Sequence, residues 1–349
     1  MSRNFRNYLV TGGMGFIGSN FIKFLMTNTN SNVINIDNLS IGSSKENLSD
    51  ICDEERYTFY EISIDDDLIF DLMKKHKIDC VVHFAAESHV DRSLIDPFNF
   101  INTNIMGTYK LLTYVKRVHD LGEEIHFHHV STDEVFGSLG PEDPPFTEKN
   151  IYLPNSPYSA SKASSDHLVR AWNHSFGINV TTSNCSNNYG PSQYPEKLIP
   201  VIINSCLRER EIPIYGDGKN IRDWLYVEDH CKAIFEILIN GRVGETYNIG
   251  GKNEISNNEI AQTICNLLEG FVDLNDFSPL TKKEFSCKSF TDLIKYVEDR
   301  KGHDFRYSIN PQKIEYELNW FPSENFESGI SKTIQWYLDN LDIFMRIND

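Results

Sequence analysis

A chain of 349 residues, 40% hydrophobic and 24% charged, is long enough for one large or two medium cores and has the balance of a globular protein. Its net charge of −17 excludes duplex DNA or RNA as a partner, because phosphate binding needs basic surface; a nucleotide-sized anion can still be held where a few Arg and Lys converge. No run approaches the ~18 apolar residues of a membrane span, and the seven scattered cysteines, without zinc spacing, read as apolar fillers in a reducing cytosol.

Residues 1–6 are polar and lead straight into a strand-like segment, which reads as no signal peptide. Through about residue 185, short apolar runs alternate with helical patterns, the mark of βαβ units and a parallel sheet. Strands are expected at 7–11, 32–37, 79–84, 125–132 and 178–185. Between the first two, Phe16, Ile17, Asn20, Phe21, Phe24 and Leu25 recur at helical spacing, and 98–119 and 159–176 read as long helices. After Tyr189, Gly190 and Pro191 the rhythm becomes irregular, so a domain transition is placed near 186. Beyond it 228–239 is apolar-periodic, SNNE at 256–259 has capping-box spacing, and 270–295 is the least readable stretch.

The run TGGMGFIG at 11–18 lies between a predicted strand and a predicted helix, where a dinucleotide fingerprint belongs. Gly12, Gly15 and Gly18 allow a tight turn and close approach of backbone to a pyrophosphate, which then meets the open N–H groups of the helix start. Asp37, at the end of the second strand, suits both hydroxyls of a ribose and repels a 2′-phosphate; no arginine follows, so NAD is favoured over NADP. The fold class is therefore α/β, a Rossmann-type doubly wound parallel sheet, with a smaller α/β domain after it.

YSASK at 158–162 sets Tyr158 and Lys162 on one helical face. Free tyrosine, with a pKa near ~10, is a poor base at neutral pH. A nearby lysine and a cationic nicotinamide both favour the phenolate, which can then take a hydroxyl proton as hydride leaves; Lys162 also suits the nicotinamide ribose. STDEVFG at 131–137 follows an apolar strand, at the carboxyl edge where such sheets bind ligands. Two adjacent carboxylates, Asp133 and Glu134, push their pKa values apart into an acid and a base. Alcohol oxidation needs neither, whereas elimination of water needs both. On a hexose, oxidation at C4 acidifies the C5 hydrogen; a carboxylate removes it, an acid protonates the departing C6 hydroxyl, and hydride can return to C6. Thr132 would hydrogen-bond the C4 oxygen beside Tyr158.

With these motifs the chain resembles the nucleotide-sugar 4,6-dehydratases of the extended short-chain dehydrogenase/reductase group. The likeness runs nearly end to end, through AAESHVDR at 85–92, NNYGP at 187–191, PEKLIP at 195–200, YGDG at 215–218, RDWLY at 222–226, ETYNIGG at 245–251 and DRKGHD at 299–304. The resemblance implies an NAD-dependent lyase converting dTDP-glucose to dTDP-4-keto-6-deoxyglucose, on a cytoplasmic homodimer. It implies Asp133 as acid, Glu134 as C5 base and Tyr158 as C4-hydroxyl base, supported by Lys162 and Thr132. Cofactor contacts are expected from Gly12, Gly15, Phe16, Ile17, Gly18, Asp37, Asn38, Leu39, Ser40, Ser63, Ile64, Phe84, Ala85, Ala86, Ser88, Thr103, Tyr158, Lys162 and Asn188. Nucleotide-sugar contacts are expected from Ser88, Thr132, Asn187, Lys197, Leu198, Pro213, Ile214, Tyr215, Arg222, Asn257, Asp299, Arg300 and His303; of these Lys197, Arg222 and Arg300 could neutralise a diphosphate. Residues 1–185, with 225–250 returning to them, would form the NAD-binding domain and 186–349 the sugar-nucleotide domain.

The chain departs from the family at Ser63, where an aspartate meeting the adenine is expected, at Lys301 for proline, at Phe305 for arginine and at Phe136 for tyrosine. His126 and His128 share a strand face without a third ligand, so no metal is expected. Tyr109 and 111–115 read as core or dimer face. The nucleobase stays open between dTDP and UDP. A 4-epimerase or decarboxylase on the same scaffold is disfavoured by the presence of both acids, and a silent NAD-sensing protein by the intact Tyr158 and Lys162.

Overall fold

The computed structural model describes residues 2–52, 54–299 and 302–345. Among them the strands in chain order are β1 (Asn7–Thr11), β2 (Asn32–Asp37), β3 (Tyr57–Glu61), β4 (Cys80–His83), β5 (His126–Thr132), β6 (Asn179–Cys185), β7 (Asn187–Tyr189), β8 (Ile212–Tyr215), β9 (Ile221–Tyr226), β10 (Thr246–Ile249), β11 (Glu254–Ser256) and β12 (Ile294–Val297). Seven form one parallel sheet in the order β10-β6-β5-β4-β1-β2-β3. The chain builds outward from β1 to β3 and then starts again on the other side of β1 with β4. That reversal opens a crevice at the carboxyl ends of β1 and β4, where this topology binds ligands.

Side-chain alternation sends Tyr8, Val10, Val33, Cys80 and Val82 to one face and Leu9, Ile34, Ile36 and Val81 to the other. On the first face Phe21, Ile22 and Leu25 of the helix Phe16–Asn28 pack with Ile234, Ile237 and Leu238 of the helix Val227–Asn240. On the second, Leu111, Tyr114 and Val115 of Thr108–Asp120 and Val169 of Pro157–Phe176 complete the cover. A sheet buried on both faces explains strands without polar alternation. A further core gathers Ile202, Ile203 and Cys206 of the helix Leu198–Arg208, Ile260 and Ile264 of Asn257–Phe271, and Ile330 and Ile334 of Phe326–Asp339. Beside it lie the sheet β11-β9-β7 and the pair β12-β8.

The expected single helix over 98–119 is corrected by the structure. Pro97–Phe100 is α-helical, Ile101–Gly107 is π-helical and Thr108–Asp120 is α-helical again. The wider turn carries Asn104 inward, where its amide bonds the backbone of Glu87 and Ser161 Oγ. Gly107 meets Ile64 so closely that a Cβ there would stand 2.3 Å from Ile64 Cδ1. Periodicity could not separate these segments, because a single wider turn is too short to establish a period of its own.

Candidate active site

The glycine turn joins β1 to the helix Phe16–Asn28. Gly12 holds φ +69°, and a Cβ on it would lie 2.6 Å from Ala85 N; one on Gly18 would lie 2.3 Å from Gly12 O. Both positions are closed to larger residues, and the turn keeps its backbone bare. Asp37 is buried at the end of β2, with Oδ2 accepting from Met14 N (3.0 Å) and Ser43 Oγ (3.2 Å) and Oδ1 from Leu39 N (2.8 Å). Burial pushes this carboxyl up and those donors pull it back. Besides its expected reach to a ribose, Asp37 braces the turn and the loop after β2.

One cleft runs along the carboxyl edge of the sheet. At one end it is lined by Gly12, Gly15, Phe16, Ile17, Gly18, Asp37, Asn38, Ser40, Ser63, Ile64, Phe84, Ala85, Ala86 and Thr103. At the other it is lined by Ser88, Thr132, Asp133, Glu134, Tyr158, Lys162, Asn187, Asn188 and Lys197. A bare glycine turn at one end and a Tyr/Lys pair at the other fit an extended dinucleotide. Leu39 lines an adjoining hollow with Ser40 and Ile41.

The reactive end forms where β5 runs out. Thr132 caps the single turn Asp133–Phe136, its Oγ1 accepting from Glu134 N at 3.3 Å. This sets Asp133 and Glu134 at the helix start, the end that favours carboxylates. Opposite, the helix Pro157–Phe176 opens with Pro157 and a capping box between Ser156 and Ser159. Tyr158 therefore stands in its first turn and Lys162 in the next, with Lys162 Nζ donating to Val130 O at 2.8 Å.

Asp133 is 2% exposed. Burial, then the charges of Glu134 and Asp223, hold its carboxyl well above the usual carboxylate range, while Arg222 and Thr132 pull it back. Its Oδ2 is buried with no hydrogen-bond partner among the described residues, an open position for a substrate oxygen. Burial brings Lys162 down to about 8. Without a cofactor beside it, the phenol of Tyr158 is pushed well above its ordinary value, first by burial and then by the negative charge of Glu134, while the hydrogen bond with Thr132 pulls it down.

The remaining expected residues that the structure describes stand outside the cleft wall. Leu198 begins the helix after Lys197, and Ile214 of β8 points into the further core between Pro213 and Tyr215. Arg222 on β9 donates to the carbonyls of Ile221, Phe305 and Asp304 and stacks on Tyr307 at 4.4 Å; its charge still reaches Asp133. Asn257 opens its helix, and His303 Nδ1 lies 2.7 Å from Asp299 Oδ1. Arg300 and Lys301 fall outside the described residues. Phe305 is bonded through its N–H to Ser138 Oγ, and Phe136 is buried on Phe146 at 5.2 Å. His126 Nε2 and His128 Nδ1 each lie 2.9 Å from Thr181 Oγ1, and His128 Nε2 lies 3.2 Å from Ser183 Oγ, whereas His126 Nδ1 is buried with no hydrogen-bond partner among the described residues. The cleft also takes in Asp65, Gln193, Glu87 of the AAESHVDR run and Glu196 of the PEKLIP run, polar residues that no spacing in the sequence marks as cleft lining.

A parallel sheet in this order, a glycine turn at its switch point and a Tyr/Lys pair on one helix define an extended short-chain dehydrogenase/reductase. The profile of the family described as GDP-mannose 4,6 dehydratase matches residues 9–333, and the chain belongs to this family of nucleotide-sugar 4,6-dehydratases. A dTDP-glucose 4,6-dehydratase of Escherichia coli is 47% identical over 355 residues, covering 98% of this chain and 96% of that protein. Two crystal structures are similar throughout. The dTDP-glucose 4,6-dehydratase of Bacillus anthracis in complex with NAD has 41% identity and a TM-score of 0.83, over 97% of this chain and 98% of that one. The dTDP-glucose 4,6-dehydratase of Streptomyces venezuelae with NAD and TYD bound has 39% identity and a TM-score of 0.85, over 96% and 97%.

Proposed function

We propose that this chain is an NAD-dependent hydro-lyase that converts dTDP-glucose to dTDP-4-keto-6-deoxyglucose. The conversion comprises oxidation at C4, loss of water across C5–C6 and reduction at C6, without net change of the cofactor. The observation that carries this is the meeting, on one cleft, of the Asp133–Glu134 pair with Tyr158 and Lys162. Relatives named for this reaction at 47–48% identity support it, as do similar structures holding NAD.

Gly12, Gly15 and Gly18 would take the pyrophosphate, Asp37 the adenosine ribose, and Lys162 the nicotinamide ribose. What NAD supplies when bound there is a reversible hydride acceptor, and a positive ring that draws Tyr158 toward the phenolate. Tyr158 takes the C4 hydroxyl proton while Thr132 hydrogen-bonds the C4 oxygen. Glu134 removes the C5 proton, and Asp133, kept protonated by its burial, gives its proton to the departing C6 hydroxyl. Residues 1–185 with 225–250 carry the cofactor in this reading and 186–349 the sugar nucleotide, with Lys197, Arg222 and Arg300 toward the diphosphate.

A homodimer is supported by a run of exposed apolar side chains, Leu94, Ile95, Phe98, Ile101, Met106 and Tyr109, on consecutive helical turns, which a second copy would cover. Seven free thiols accord with the cytoplasm. Purified protein incubated separately with dTDP-glucose and UDP-glucose, then analysed by mass spectrometry, tests the reading. Loss of water from dTDP-glucose without build-up of reduced cofactor is the expected result. Loss from UDP-glucose alone moves the assignment to that base, and retention of mass with both overturns the dehydration. Light scattering of the same sample reads the dimer.

A further inference from the structure

Beneath the reactive pair lies a buried acid for which the dehydration has no step. Asp166 follows Lys162 by one turn on the same helix and is 5% exposed. Its Oδ2 accepts hydrogen bonds from Ser131 Oγ (3.0 Å), Tyr152 OH (3.0 Å) and Asn184 Nδ2 (3.3 Å), and its Oδ1 stands 3.2 Å from His129 Nε2. His129 and Ser131 flank Val130, whose carbonyl accepts the Lys162 ammonium. One carboxylate thus bonds β5 at Ser131 and stands against His129, on either side of the carbonyl that holds Lys162, and does so from the helix that carries Lys162.

We propose that Asp166 is a positioning residue for the reaction: it is the counter-charge that keeps the buried Lys162 an ammonium, and it fixes β5 so that Val130 holds that ammonium beside Tyr158. Its place in dehydration rests on the function proposed above; the charge coupling to Lys162 does not.

The groups around Lys162 leave Asp166 this part. From β4 comes His83 and from β5 His129, both kept neutral, His83 well below its ordinary value and His129 down at about 4, by burial first and the charge of Lys162 among the other causes. From β6 comes Cys185, whose thiol burial pushes up to about 12. On its own helix Tyr158 is a neutral phenol, and beyond the end of β5 Asp133 is held protonated while Glu134 bears on Tyr158. Against burial, which lowers Lys162, the charge of Asp166 is the largest influence in the other direction. A buried ammonium without such a partner sheds its proton.

Asp166→Asn keeps the shape and removes the charge. Two readouts test it. First, labelling of Lys162 by a small amine-acylating reagent, followed against pH by peptide mass spectrometry, should reach its midpoint about one pH unit lower than in the wild type. Second, in the NAD-loaded enzyme the alkaline limb of kcat on dTDP-glucose should move down by the same amount, with KM within about twofold. Tyr152→Phe removes a hydrogen bond but no charge and should leave both midpoints in place, as should the charge-retaining Asp166→Glu. Thermal unfolding identifies folded variants, and Asp166→Ser serves as a second neutral replacement with the same expectation. Unshifted midpoints in a folded neutral variant, or an equal shift in Tyr152→Phe, overturn the proposal. A wild type that leaves dTDP-glucose intact while the labelling midpoint still moves overturns the proposed function and leaves the coupling standing.

Discussion

Lys162 Nζ donates a 2.8 Å hydrogen bond to the carbonyl of Val130, so the strand that ends at Thr132 and leads into Asp133 and Glu134 is tied to the helix bearing Tyr158 at the reactive centre itself. The two carboxylates and the phenol are therefore set by one joint. Tyr158→Phe leaves that joint and removes only the proton acceptor. The expected result is a kcat roughly 10²–10⁴-fold lower with NAD binding nearly unchanged. Lys162→Met should lose a similar factor and also weaken NAD binding, because the ammonium faces the cleft. Steady-state rates with calorimetric NAD titration separate the two; a Tyr158→Phe enzyme within tenfold of wild type would remove the phenol from the proposed mechanism.

Asp133 and Glu134 open the same single turn, yet one is buried and the other only partly so. The Asp133→Asn, Glu134→Gln double variant should still oxidise C4 while eliminating water about 10²-fold more slowly or worse. Mixed with substrate, it should stall with reduced nicotinamide visible in the near-ultraviolet and with no loss of water by mass spectrometry. Near-normal elimination by this variant would sink the assignment of acid and base.

The carboxylate of Asp37 accepts from Met14 N, Leu39 N and Ser43 Oγ, all parts of the loop system that faces the cleft. Asp37→Asn keeps the volume but withdraws the charge that repels a 2′-phosphate. NAD affinity is expected to fall about tenfold, the worth of one charge-assisted hydrogen bond. The margin over NADP should narrow by more than that. Calorimetry with both dinucleotides gives the ratio, and an unchanged ratio would place the discrimination elsewhere.

Much of this site was legible because its parts lie close in sequence. The glycine turn, Asp37, the Asp133–Glu134 pair and the Tyr158–Lys162 spacing each sit at the end of a strand or the start of a helix that its own residues announce. The edge strand β3 was missed because its half-exposed Tyr57–Glu61 lacks an apolar run. The π-helical turn at Ile101–Gly107 was hidden because seven residues between two α-helical segments are too few to show a separate period. Asp166 carries no local mark beyond falling one turn after Lys162; its meaning appears only when β5, β6 and Tyr152 converge on it. The upward push on Tyr158 was likewise out of reach, since it comes from burial, and burial is a property of the assembled chain.

The burial that makes Asp133 an acid should also cost stability, and pH can show it. Its folded pKa is raised above the ordinary carboxylate value, first by burial and then by Glu134 and Asp223. A group shifted this way stabilises the fold while protonated, and that contribution is lost as pH rises through the folded pKa. On the alkaline side the chain must either hold an ion whose Oδ2 has no described partner or give up part of its stability. Asp133→Asn removes the titration and keeps the shape. It should be more stable than the wild type above that pKa by roughly 0.5–2 kcal/mol, and the gap should close as pH falls toward the ordinary carboxylate range. Melting temperatures of both proteins across pH give the comparison directly. Parallel curves would mean that Asp133 titrates alike in folded and unfolded chains, and the acid assigned to it would then lack its physical cause.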